Sequence, residues 1–230
     1  MANDTPASNT QPPRSPRERI IAAFMDLLAE KSIERIDLSE IAKRAEVPLA
    51  ELRGEFGSTF AIFAAHSKEI DRAVLRGGAG DMAQEPPRER LFDVLMRRIE
   101  ALAPHRQAVR SLVRSATRNP PLAVALNGLA VQSQQWMLAA ADISASGPAG
   151  MLRAQGLALL YASVLRTWLD DTDPGLARTM AALDSALARG QRWSGLLDDV
   201  LAVPARLCPS RRRPRRRRDG DEANEETVAA

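Results

Sequence analysis

From Ser15 onward, proline, glycine and asparagine cut the chain into segments of helical length, and in each segment the apolar residues recur at helical spacing. No segment shows the strict alternation of a half-buried strand, and β-branched residues are sparse while Ala, Leu and Arg, strong helix formers, are abundant. With 230 residues, 45% of them hydrophobic, the chain can bury a core as one large domain or as a small and a medium one. The expected fold class is all-α.

The first helix is expected over 16–30: Ser15 caps, Pro16 takes the first helical position, and Ile20, Ile21, Phe24, Leu27 and Leu28 form an apolar face. Short helices at 38–45 and 49–55 follow around a Glu46-Val47-Pro48 turn, then a longer one from Phe60 to Leu75. A loop bracketed by Gly77-Gly78-Ala79-Gly80 and Pro86-Pro87 marks the boundary to a larger body. Body helices are expected over about 87–102, 105–115, 121–141, 149–169 and 176–189, with Gly190 ending the last. The organisation read from this pattern is disorder over 1–15, a three-helix head over 16–78 and a helical body over 87–190. An amphipathic helix over 191–204 and a basic then acidic disordered tail over 205–230 complete it.

The net charge of +3 is concentrated in that tail, since residues 211–230 hold seven arginines and five acids and the remainder is nearly neutral. The predominance of Arg over Lys fits a GC-rich genome. Cys208, the single cysteine, excludes an intramolecular disulfide; with no apolar leader in the first residues, the expected compartment is the reducing cytoplasm. The longest apolar run, Leu157 to Leu165, is too short to span a bilayer. Catalysis finds no support: His66 and His105 stand apart in the sequence, and no metal-ligand spacing, nucleophile elbow or phosphate loop is present. No enzyme activity, metal or cofactor is expected.

Residues Ile36 to Thr59 carry the strongest motif. Ile41, Ala42, Ala45, Val47, Leu52 and Phe56 are spaced so that two short helices cross closely at the alanines while the larger side chains fill the angle between them. Over about 16–76 the sequence resembles the head of the tetracycline-repressor family of transcriptional regulators. That resemblance implies a helix-turn-helix whose third helix enters the major groove while its flanks hold phosphates. Carried onto this chain, the implied DNA-facing residues are Ser39, Lys43, Arg44, Pro48, Leu49, Ala50, Glu51, Arg53 and Thr59. The chain departs from the family pattern. Glu46 stands at the usual turn Gly, Leu49 at the usual recognition-helix Lys, Arg53 at the usual aromatic and Thr59 at the usual phosphate-holding Lys. Residues 16–78 hold ten basic and eleven acidic side chains, so the phosphate attraction that supplies most non-specific affinity is weak here. Lys43, Arg44 and Arg53 are the phosphate candidates, and Glu51 can accept from cytosine N4. The alternative reading of these side chains is an ordinary solvated helix face.

In the body, the stretch Arg166 to Asp184, with Trp168, an acidic turn and a Thr179-Met180 helix, resembles the C-terminal part of many tetracycline-repressor-like proteins. It is also similar to the lipid-binding coenzyme-Q biosynthesis accessory family, which shares the fold and serves lipid rather than DNA. Either resemblance implies an apolar ligand cavity. The candidate lining residues are Leu95, Ile99, Leu112, Leu126, Leu129, Trp136, Met137, Leu160, Leu165, Trp168 and Met180, each of which equally fits an ordinary core. Long Ala-rich helices point to a homodimer through the last two body helices. Trp193, Leu196, Leu197, Val200 and Leu201 line one helical face just before seven arginines, the pattern of a peripheral helix on an anionic membrane. Two readings follow. The first is a dimeric DNA-binding regulator controlled by an apolar small molecule. The alternative is a lipid-binding accessory protein that binds no DNA and sits on the inner membrane through its tail.

Overall fold

The computed structural model describes residues 15–77 and 84–190. Helix α1 runs over Pro16–Glu30. Ser15 opens it with a reciprocal capping box: its hydroxyl accepts from the Glu18 N–H at 3.3 Å and its own N–H donates to the Glu18 carboxylate at 2.8 Å. A 3-10 turn over Ile33–Arg35 leads to α2 (Leu38–Arg44), α3 (Leu49–Glu55) and α4 (Thr59–Arg76). The body contains α5 (Pro87–Leu102), a 3-10 turn over Ala103–His105, α6 (Arg106–Arg118), α7 (Pro120–Ala140), α8 (Gly147–Asp170) and α9 (177–190). Among the described residues there is no strand. The all-helical reading therefore holds over the described residues. The expected 105–115 helix runs three residues further, to Arg118, because Asn119 and Pro120 form the next break.

Two apolar cores form. The head core joins Ile20, Phe24, Leu27 and Leu28 of α1 to Ile41, Leu52, Phe56 and Ile62, and it takes in Ala108 and Leu112 from α6. The body core joins Leu95 and Ile99 of α5 to Met137, Tyr161, Trp168 and Leu183. Helix α4 serves both: Ile62 and Ala65 belong to the head core, Ile70 and Val74 to the body core. Helix α6 does the same with Leu112 and Val109. Head and body are thus joined by two helices whose apolar faces are divided between them.

The acidic turn after α8 has a structural role. The buried Asp171 carboxylate accepts from the Thr179 N–H at 2.9 Å, the Thr179 hydroxyl at 2.7 Å and the Asp173 N–H at 3.2 Å, which sets the start of α9. These bonds, the Thr179 hydroxyl first, hold its pKa below the usual carboxylate range. Arg106 and Arg110 of α6 donate to the terminal α8 carbonyls of Trp168 and Leu169, so cations cap the negative end of that helix. Gly150 is required at the start of α8, because a Cβ there would stand 2.1 Å from the Ala145 carbonyl carbon.

Candidate nucleic-acid interface and body core

Helix α2 ends in a left-handed residue, Glu46, at φ 54°. The Val47 N–H donates to the Ala42 carbonyl at 3.0 Å and the Glu46 N–H to the Lys43 carbonyl at 3.2 Å, the paired bonds of a Schellman stop. Glycine adopts this conformation without strain; a non-glycine residue costs about 1 kcal/mol in it. Arg19 of α1 braces the turn by donating to the Ala45 and Glu46 carbonyls at 3.2 and 3.0 Å.

From that turn α3 projects with Leu52 and Phe56 buried beneath it. Pro48, Leu49, Ala50 and Arg53 are exposed, Leu49 to 53%, while Glu51 and Thr59 are half-buried. Ser39, Lys43 and Arg44 are exposed on α2. The structure therefore places the predicted head residues on α2, on α3 and its N-cap Pro48, and, for Thr59, at the first position of α4, all outside the apolar core. Their charges are not equally available. Arg44 is paired with Glu30 through two bonds of 3.0 and 3.2 Å. Arg17 reaches Glu55 at 3.3 Å and stacks over the Phe56 ring at 4.6 Å, which offsets one of the two α3 carboxylates. Lys43 and Arg53 make no ion pair among the described residues.

The predicted ligand-lining residues do not come together as one group. Leu95, Ile99, Met137 and Trp168 are buried in the body core, with Leu160 and Leu165 packed against it, and Leu129 is half-buried on α7. Leu112 and Leu126 pack instead with the head core, because α6 and the first turns of α7 lie against it. Trp136 and Met180 point outward and are 57% and 39% exposed. Helical spacing identifies an apolar face; it does not reveal which of two cores, or which neighbouring chain, that face meets. Trp193, Leu196, Leu197, Val200, Leu201 and Cys208 lie outside the described residues. No described helix is long and apolar enough to cross a membrane.

Sequence reasoning missed a polar cluster at the centre of the body. Asp71 of α4 accepts from Arg98 Nε of α5 at 3.1 Å and from the Ser133 hydroxyl of α7 at 2.7 Å, all three buried. The Arg98 guanidinium lies 5.2 Å from the centre of the Tyr161 ring. Burial opposes its charge, but Tyr161 and Asp71 outweigh burial and raise its pKa. Burial drives the Tyr161 hydroxyl above its usual range. The Gln134 side-chain carbonyl is buried without a hydrogen-bond partner. The available signal was positional: Asp71 sits between Ile70 and Val74 on the apolar face of α4.

His66 and His105, apart in the sequence, are brought together edge to face with ring centroids 4.5 Å apart. Burial first, then His105 and Arg98, push His66 down to about 4. Among the described residues no three His, Cys, Asp or Glu side chains form a metal-sized group.

The described residues thus form a helix-turn-helix head joined through shared helices to an all-α body. No family model matches the sequence, and no curated protein matches it. Solved structures do match. A TetR transcriptional regulator from Nitrosomonas europaea is 22% identical with a TM-score of 0.61, over 77% of this chain and 99% of that one. One from Rhodococcus sp. RHA1 is 23% identical with a TM-score of 0.54, over 76% and 95%. One from Streptomyces coelicolor is 18% identical with a TM-score of 0.52, over 83% and 89%. The chain has the tetracycline-repressor-type fold.

Proposed function

We propose that the protein is a dimeric, DNA-binding transcriptional regulator of the cytoplasm, controlled by a small molecule that binds the body. The observation that carries this reading is the head itself. A Schellman turn and the Arg19 brace hold α3 outward, with Leu49 and Arg53 exposed and Lys43 unpaired beside it. In the major groove Leu49 suits a thymine methyl, Lys43 and Arg53 suit phosphates, and Glu51 suits a cytosine amine. The near-neutral head favours modest affinity, which two heads on a two-fold operator multiply.

The effector site proposed lies among Leu95, Ile99, Met137 and Trp168. The unpartnered Gln134 side-chain carbonyl favours an apolar molecule with one hydrogen-bond donor. A buried polar atom without a partner costs about 1–3 kcal/mol, which a ligand supplying that partner recovers. Exposed Trp136 on α7, Met151, Leu152 and Leu159 on α8 and Met180 on α9 form the apolar set for a second copy. The membrane-bound alternative rests on the helix expected over 191–204, outside the described residues, and no observation in the body favours it over the regulator.

The test is DNA binding by a chain shortened to end at Arg206, titrated against its own upstream region and against scrambled DNA at physiological salt. Preferential binding upstream is expected, with Lys43→Ala and Arg53→Ala each weakening it and each lowering the salt slope by about 1. Equal affinity for scrambled DNA, or titrations unchanged by both substitutions, would reject the reading.

A further inference from the structure

The last turn of α1 and the 3-10 turn after it do not close fully against α6 and the start of α7. They leave a groove of about 620 Å³ at the joint between head and body, away from the body core. That volume is in the range of small-molecule sites. Its lining carries four cations, Lys31, Arg110, Arg114 and Arg118, against two carboxylates, Glu30 and Glu34.

Most of these charges already have partners. Glu30 is held by Arg44, Lys31 by Glu40, and Arg110 by Asp170 at 2.9 Å. Glu34 accepts from the Ser115 hydroxyl at 3.0 Å and the Asn119 amide at 3.4 Å. Its own backbone N–H does most to lower its pKa, and Ser115 and Asn119 add to that. Arg114 and Arg118 are different. They are exposed, one turn apart on α6, and their guanidiniums make no hydrogen bond or ion pair among the described residues. Together with Arg110 they stack like charges at four-residue spacing, which disfavours the helix until an anion joins them. The N-terminus of the 21-residue α7, at Asn119 and Pro120, opens into the same groove and adds its positive end.

We infer that this groove binds a multiply charged small anion, a phosphorylated or polycarboxylate metabolite, between the Arg114 and Arg118 guanidiniums. Its walls belong to both parts of the chain: α1 carries the head core, α6 is shared with the body, and Ser111 of α6 already donates to the Lys31 carbonyl at 2.9 Å. An anion seated there fixes the angle between head and body. It is a second input, distinct from a ligand in the body core.

The test is isothermal titration of the full chain with pyrophosphate and, separately, with citrate. Arg114→Ala/Arg118→Ala is compared with the wild type, so that the arginine tail contributes equally to both. The expected result is one saturable site in the wild type, weakened about tenfold or more in the double variant, a loss of roughly two charge-assisted contacts. A response to pyrophosphate alone identifies phosphate chemistry, and a response to citrate alone identifies carboxylate chemistry. The single Arg118→Gln chain must show the same direction if the double variant alters the helical spectrum. Equal titration of wild type and variants, or no saturable binding in the wild type, overturns the inference. Neither result depends on whether the head binds DNA.

Discussion

Asp71 and Arg98 meet at 3.1 Å in the middle of the body, one from the helix shared with the head and one from the first body helix. Both are buried, and Ser133 completes the carboxylate's bonding. Such a pair contributes little net stability when intact, but removing one partner strands a charge. Asp71→Ala should lower unfolding stability by about 3–5 kcal/mol in urea melts, while Asp71→Leu/Arg98→Met together should recover most of it. A loss below about 1 kcal/mol for Asp71→Ala would mean that water reaches the pair.

Buried His66, packed against half-buried His105, predicts an acid response. His66 titrates at about 4 in the fold against 6.5 in the unfolded chain. The unfolded chain therefore holds more protons between those values. Stability from keeping His66 neutral is fully present above pH 6.5 and is lost as pH falls towards 4, by on the order of 2–3 kcal/mol. In His66→Leu that loss should shrink. A melting temperature with the same pH profile in variant and wild type would refute the assignment.

Gly150 tests the start of α8. A methyl group there meets the Ala145 backbone rather than a movable side chain. Gly150→Ala should destabilise by about 1–3 kcal/mol despite the better helix propensity of alanine. A thermal shift upward would show that the 145–150 turn rearranges freely.

The exposed apolar set predicts the assembly. Leu159 on α8 is 61% exposed in the single chain. A buried carboxylate is expensive in a dimer interface and harmless in water. Leu159→Glu should convert a dimer to a monomer by sedimentation velocity while leaving the helical spectrum unchanged. Identical sedimentation of variant and wild type would place the interface elsewhere.

The local pattern of the sequence was enough to define the helices. Ser15-Pro16 at the start of α1, Asn119-Pro120 between α6 and α7 and the Ile41-to-Phe56 spacing each act through neighbours a few residues away, so caps, breaks and the helix-turn-helix were legible before any fold was known. Tertiary structure alone decided what each helix face meets. Periodicity shows that Leu112 and Trp136 lie on apolar faces, but only packing gives Leu112 to the head core and leaves Trp136 outside. The charged residues follow the same rule. Asp71 and Arg98 are 27 residues apart, His66 and His105 lie on different elements, and Arg114 and Arg118 gain meaning only from the groove formed when α1 lies along α6. Long-range contacts carry no signal in local spacing, because the free energy that makes them comes from burial shared between segments rather than from either segment alone.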